Sequence, residues 1–310
     1  MDTFELQLID FNSEQLKKVL PILLCDKTTE QNIIWTTNAY NDKGFTEKDQ
    51  ITLEAFYGDN PVNLQPRARK SKEEQLYRTR AKAEVFTPSW ICNSMNNYAD
   101  SEWFGRDNVF NTQNEDHTWT LNEDKIEFPE GKTWKDYVLD CRLEITCGEA
   151  PYLVSRYDTI TSDYILPIAR RIGLLDRKLR VVNENTKTQK TWTEWAIKAF
   201  QSCYGYEYQG DSLLIARINL FLTFIDYYTE RWNKEPEDDV LSTIATIISW
   251  NLWQMDGFLD TVPFGRLKTP EDDQMELFGF EEPKEPTTKP CIIKNWKDNK
   301  TIEYRELKRS

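Results

Sequence analysis

Three apolar segments of this 310-residue chain each close on an acid with a glycine within three residues, and that recurrence constrains the fold more than any other feature. The first reads Leu143-Glu144-Ile145-Thr146-Cys147-Gly148-Glu149, the second Tyr204-Gly205-Tyr206-Glu207-Tyr208, and the third Trp250-Asn251-Leu252-Trp253-Gln254-Met255-Asp256-Gly257. The second runs directly into Gly210-Asp211-Ser212-Leu213, a capped helix start. A strand that stops at a small residue lets backbone approach a ligand, and a helix that follows adds oriented N–H groups. Three such junctions predict an α/β fold with a largely parallel sheet, whose ligands bind at the carboxyl ends of the strands.

The remaining pattern fills in around that sheet. An amphipathic stretch over 14–24 predicts a helix, and Pro88 sits where proline fits a first helical turn, ahead of Trp90, Ile91, Cys92 and Met95. Residues 191–203 place Trp192, Trp195, Ala196, Ala199 and Phe200 on one helical face, and 238–249 repeats the helical period. Four prolines and seven acids mark 268–290 as an acidic linker or loop. Residues 291–307 alternate on both sides of a turn and predict a hairpin. The expected organisation is a mostly helical N-terminal cap (1–80), an α/β domain (81–267), the linker (268–290) and a terminal hairpin completing the sheet (291–310).

Charge and composition narrow the chemistry. With 39 basic and 52 acidic side chains the formal charge is -13, which opposes unaided attraction to nucleic acid. Any DNA contact must then come from local clusters, namely Arg67, Arg69, Lys70, Lys72, Arg78, Arg80 and Lys82, or Arg170, Arg171, Arg177, Lys178 and Arg180; the competing reading of each is a solvated helix face. Six cysteines without any C-x-x-C pair, and His117 as the single histidine, argue against a zinc site and against Ser-His-Asp or Cys-His catalysis. The longest apolar segment, 213–228, is interrupted by Arg217, Asn219 and Asp226, and no signal-peptide pattern opens the chain. A cytoplasmic protein with reduced thiols and no membrane association is expected.

Taken in order, four segments resemble the amino-group DNA methyltransferases that methylate adenine N6: Arg80-Ala81-Lys82-Ala83-Glu84-Val85-Phe86-Thr87-Pro88, then 144–153, 204–216 and 248–257. The whole chain also looks like proteins catalogued as restriction endonuclease subunit M. The resemblance implies a Rossmann-like, S-adenosylmethionine-dependent methyltransferase fold. Phe86, Thr87 and Pro88 would border the cofactor, Glu144 and Gly148 would sit at its methionine and ribose, Glu207 would accept from the ribose hydroxyls and Asp256 would bond the adenine amino group. Where the family has Gly-x-Gly, this chain has Gly148-Glu149-Ala150 followed by Pro151.

The family transfers the methyl group at an Asp/Asn-Pro-Pro-aromatic motif, and this sequence contains no Pro-Pro. At the corresponding place it has Ile293-Lys294-Asn295-Trp296, where Asn295 would accept a hydrogen bond from the target amine and Trp296 would stack on the flipped base. The competing reading is a turn asparagine and a core tryptophan. The resemblance implies a DNA adenine N6-methyltransferase, or the methylation subunit of a restriction-modification or phage-defence system, partnered by a specificity or nuclease subunit. The alternative is a scaffold or DNA-binding subunit that keeps the cofactor fold without transfer activity. A third reading, a magnesium nuclease, rests on Asp298, Lys300 and Glu303. Within the linker, Gln274, Leu277 and Phe278 lie in a pentapeptide resembling those that dock on the replicative sliding clamp, although Leu277, Phe278 and Phe280 could equally anchor the loop to its own domain.

Overall fold

A computed structural model of the protein describes residues 8–82, 87–264 and 289–308. In chain order the elements are α1 (Glu14–Leu24), α2 (Glu54–Tyr57), α3 (Lys72–Lys82), α4 (Ser89–Phe104), β1 (Asn111–Gln113), β2 (Trp119–Leu121), α5 (Trp134–Leu139) and β3 (Arg142–Ile145). They continue with α6 (Leu174–Asn185), α7 (Gln189–Gln201), β4 (Cys203–Glu207), α8 (Gly210–Trp232), α9 (Asp238–Asn251), β5 (Leu252–Gln254), β6 (Ile292–Asn295) and β7 (Lys300–Glu303). Local chemistry sets several of the ends. Ser13 accepts from the Leu16 amide at the start of α1, Gly105 closes α4 in the left-handed region at φ +67°, and the Asp176 carboxylate accepts from the Gly173 amide at the start of α6.

The central sheet is parallel, in the order β3-β4-β5, with Ile145 opposite Tyr206 and Glu207 opposite Gln254. Alternation along its strands separates two layers. Cys203 and Leu252 face the main core with the apolar sides of α1, α6, α7, α8 and α9, including Leu20, Trp192, Phe224 and Ile248. Tyr206 and Trp253 point the other way, into a smaller cluster with Met255, Cys291, Ile293 and Tyr304. Helices therefore cover one face, and the β6–β7 hairpin covers the other over β4 and β5.

Several sequence expectations change here. The hairpin is antiparallel but forms a sheet of its own, so it lies against the parallel sheet and does not complete it. Residues 8–80 are not a separate cap, because α1 packs on α9 and its Leu16, Leu20 and Leu23 belong to the core that also contains Leu213 and Leu252. Between α1 and α3 the chain is largely irregular, not mostly helical. Only β4 runs straight into a helix. After β3 a long loop reaches Gly173 before α6 begins, and β5 ends in a turn at Asp256. The linker residues 268–288 lie outside the described residues, and so do Gln274, Leu277, Phe278 and Phe280.

The basic cluster at 170–180 is mostly internal. Arg177 is fully buried, pairing with Asp100 at 2.5 Å and donating to Asn93, Asn97 and the Ile172 carbonyl. Arg171 pairs with Asp226 at 2.7 Å, Lys178 donates to the Asp140 carbonyl and the Ser202 hydroxyl, and Arg180 pairs with Glu184. Arg67 in the first cluster is buried as well, with Nη2 donating to the Gln75 carbonyl and the Thr79 hydroxyl. These cations tie elements together, a use that neither the DNA nor the solvated-face reading anticipated. Among the described residues no helix is long and apolar enough to cross a membrane.

Candidate functional site at the carboxyl ends of the parallel strands

The loop that leaves β3 crosses over β4. Its Cys147 amide donates to the Tyr206 carbonyl at 2.8 Å, and the crossing is so close that a Cβ on Gly205 would sit 3.0 Å from the Cβ of Cys147. Gly148 then turns at φ +52°, where glycine is favoured, and a Cβ built there meets nothing within 4 Å. Ala150 also lies in the left-handed region at φ +63°, a conformation held by its amide bond to the Cys147 carbonyl and by complete burial. The loop thus keeps one open backbone approach at Gly148 and closes the second position that Gly-x-Gly would have opened.

Two buried carboxylates fix this loop. Glu207, at the end of β4, accepts from the Gly148 amide at 2.9 Å with one oxygen, and from the Tyr208 and Gln209 amides at 2.9 and 3.0 Å with the other. Both carboxylate oxygens are engaged by backbone amides in this way. Glu144, on β3, accepts from the amides of Tyr152 and Leu153 at 3.3 and 3.1 Å. Burial pushes its carboxyl well above the usual range, and the nearby Glu207 adds to the rise. Glu144 therefore holds the loop through the Tyr152 and Leu153 amides.

Thr87 and Pro88 do reach this end of the sheet. The Thr87 carbonyl accepts from the Thr159 hydroxyl at 2.7 Å, and its side chain bonds Tyr152, the residue whose amide Glu144 holds. Pro88 sits at the N-cap of α4. Phe86 lies outside the described residues. Asp256 follows β5 and accepts from the Phe258 and Leu259 amides at 2.9 and 3.2 Å with Oδ1, while Oδ2 has no partner among the described residues. The fold thus gathers Thr87, Pro88, Gly148, Glu207 and Asp256 at the carboxyl ends of the parallel strands.

Two further features of this edge escaped that reading. An N-terminal segment covers the ends of β4 and β5, where the Gln254 side chain bonds both the amide and the carbonyl of Ile34 at 2.9 and 2.8 Å and the Thr36 hydroxyl donates to the Tyr208 carbonyl. Aromatic rings border the edge too. Phe258, beside Asp256, is fully exposed, and Phe264 lies edge-on to Tyr208 at 6.2 Å. Only the spacing of Phe258, two residues past the third acid, hinted at it.

Asn295 and Trp296 are placed elsewhere. Asn295 organises the hairpin turn, accepting from the Lys297 and Asp298 amides and donating to the Asp298 carboxylate. Trp296 donates through Nε1 to Asn251 at 2.7 Å, and Tyr204 donates to the Lys294 carbonyl at 3.1 Å. Asn251 and Tyr204 lie at the amino ends of β5 and β4, three residues before Gln254 and Glu207, so the hairpin tip stands about 10 Å along the sheet from Glu207. The structure does not bring the two expected catalytic residues to the cofactor residues. For the nuclease reading, Asp298 is held by Asn295 and Glu303 pairs with Arg305 at 2.6 Å, and no cluster of three metal-binding side chains occurs among the described residues.

Comparison with protein-family models, with curated proteins and with solved structures found no match.

Proposed function

We propose that this chain binds S-adenosylmethionine at the carboxyl ends of β3, β4 and β5. In this reading it is the cofactor-holding subunit of a DNA adenine N6-methylation system of the restriction-modification or phage-defence type. The observation that carries the reading is the open backbone approach at Gly148, 2.9 Å from the Glu207 carboxylate and on the same sheet edge as Asp256. Such an edge suits a nucleoside: a carboxylate for ribose hydroxyls, a second acid with a free oxygen for an amino group, and exposed aromatic surface for a base. When bound, the cofactor would supply an electrophilic methyl group. The residues of this chain would orient it, with Glu207 fixing the Gly148 amide and the backbone at the end of β4 and Asp256 Oδ2 meeting the adenine edge.

Methyl transfer by this chain alone is not supported, because Asn295 and Trp296 stand at the other end of the sheet. The scaffold alternative is therefore taken up in one respect, that transfer chemistry comes from a second polypeptide. DNA as substrate rests on the family resemblance, and the buried arginines of 171–180 leave the exposed Lys72 and Arg80 of α3 as the nearer candidates for phosphate contact. Calorimetric titration with S-adenosylmethionine tests the reading. Saturable micromolar binding, weakened about tenfold in Asp256→Ala (roughly one hydrogen bond to a charged group) and abolished in Gly148→Val, is expected. Absence of binding at millimolar cofactor in folded protein would refute it.

A further inference from the structure

Among the described residues the outer edge of β3 is bare. In the parallel pair, the Arg142 amide donates to the Ser202 carbonyl, so Arg142 and Glu144 point their backbone groups toward β4 while those of Leu143 and Ile145 point outward. No bond to that edge is made by any described residue. The side chains of Leu143 and Ile145 are 42% and 61% exposed, on the face where the hairpin covers only β4 and β5. Natural edges are usually blunted by charge, proline or a bulge. Here neither charge of β3 guards the outer edge: Glu144 is buried, and Arg142 pairs with Asp140 at 2.9 Å and lies 3.8 Å from Asp100. The helix carrying Asp100, α4, exposes two large apolar side chains of its own, Met95 at 56% and Tyr98 at 67%.

The winding of the sheet says what fits there. The steps β3 to β4 and β4 to β5 go in one direction, and right-handed crossovers then place all connecting helices on one face, as α6 to α9 are placed. A doubly wound sheet continues from the outer edge of its first strand, with a parallel strand there and helices on the opposite face. The described residues form the first half of that arrangement, and Leu143 and Ile145 occupy the place that the second half would cover. A second copy fits poorly. A two-fold axis through β3 would pair the strands antiparallel over four residues, far short of the roughly 800 Å² per partner of a stable dimer, and each copy carries a charge of -13.

We propose that the outer edge of β3 receives a parallel strand from a second polypeptide, whose apolar side chains cover Leu143 and Ile145 and whose carboxyl end comes beside the Gly148 loop. The docking follows from the sheet geometry; only its consequence, that the incoming strand supplies the transfer residues, rests on the cofactor reading above. In the doubly wound arrangement the crevice between the first strand and this added strand is where ligands bind.

Hydrogen exchange at the Leu143 and Ile145 amides tests the proposal. In the chain alone both should exchange fast at low and at high protein concentration. Slow exchange at both concentrations would mean that the chain covers its own edge, and slow exchange only at high concentration would assign the edge to a second copy; either result overturns the proposal. The probe strand is an alternating valine-threonine segment fused to the C-terminus through a flexible Gly/Ser linker of about 15 residues, long enough to reach round the domain. Slowing of both amides by roughly tenfold or more, lost with a scrambled strand and in Leu143→Asp/Ile145→Asp, is expected. No slowing overturns the docking. Unchanged exchange within β4 checks that the double variant keeps its fold. Titration of the same proteins with S-adenosylmethionine separates the two readings, since protection of β3 without cofactor binding refutes the cofactor site alone.

Discussion

Gly205→Ala gives the most direct probe of how the candidate loop is held. The new Cβ would lie 3.0 Å from Cys147 Cβ and 3.2 Å from its Sγ, against an ordinary carbon-carbon contact of about 3.5–4.0 Å. The clash is with a residue only 1% exposed, whose amide is already bonded to the Tyr206 carbonyl at 2.8 Å, so relief requires lifting the loop by several tenths of an ångström. Overpacking of this kind costs roughly 1–3 kcal/mol. Replacing a strand glycine by alanine returns about 0.5–1 kcal/mol through reduced unfolded-state freedom, leaving a net loss of about 0–2.5 kcal/mol. Cys147→Gly removes both opposing atoms, so the double variant should be more stable than the sum of the single changes, with a favourable coupling of about 1 kcal/mol or more in a urea-unfolding cycle. Because Gly148 rides on the same loop, Gly205→Ala should also weaken the amide bond to Glu207 and lower cofactor affinity. Coupling within about 0.5 kcal/mol of zero would show that the loop does not press on β4, and the placement of Gly148 would lose its basis.

Other consequences follow from named contacts. Arg217 is buried among carbonyls, bonding Leu23, Cys25, Ser249 and Leu252 at the ends of α1 and α9, and burial brings its pKa down to about 10. Arg217→Leu should cost about 3–5 kcal/mol in chemical denaturation, since each orphaned buried carbonyl costs roughly 1–3 kcal/mol, with Arg217→Lys intermediate; a loss under about 1 kcal/mol would contradict the assignment. Burial raises the carboxyls of Glu144 and Asp176, for Asp176 against an opposing effect of Arg171, so the folded chain holds protons that the unfolded chain has released. Stability should consequently fall as pH rises from the ordinary carboxylate values toward those raised values, and Glu144→Gln should flatten the slope; an unchanged slope counts against a buried, proton-holding Glu144. Asn295→Ala should loosen the hairpin turn by under about 1 kcal/mol and leave S-adenosylmethionine affinity within about twofold, whereas a large loss of affinity would return Asn295 to the cofactor site.

What the sequence disclosed, and what it hid, divides along one physical line. Period-2 and period-3.6 patterns report which face of an element is apolar, and from them α1, α4, α7, α9, β4 and the β6–β7 hairpin are legible within a few residues. They do not report which partner a charged side chain finds. The run from Arg171 to Arg180 has the composition of a solvated helix face, yet it is mostly internal because Asp226, Asp100 and Glu184, far away or one turn on, pair Arg171, Arg177 and Arg180, and a carbonyl and a hydroxyl satisfy Lys178. Nor do they report position along a sheet. Alternation in 291–307 correctly gives a hairpin with Ile293 inward, but whether its tip lies at the carboxyl or the amino ends of the parallel strands is set by Cys291 against the Gln254 carbonyl at one end and Trp296 against Asn251 at the other. A motif order read along the chain puts Asn295 last and therefore suggests the reaction centre. The fold reverses that inference, because the hairpin runs back down β5, so a chain segment that follows the cofactor loop in sequence moves away from it in space. The outer edge of β3, unbonded among the described residues, by contrast lies next to Gly148, and under the proposed cofactor reading it is there that a residue completing the chemistry would arrive.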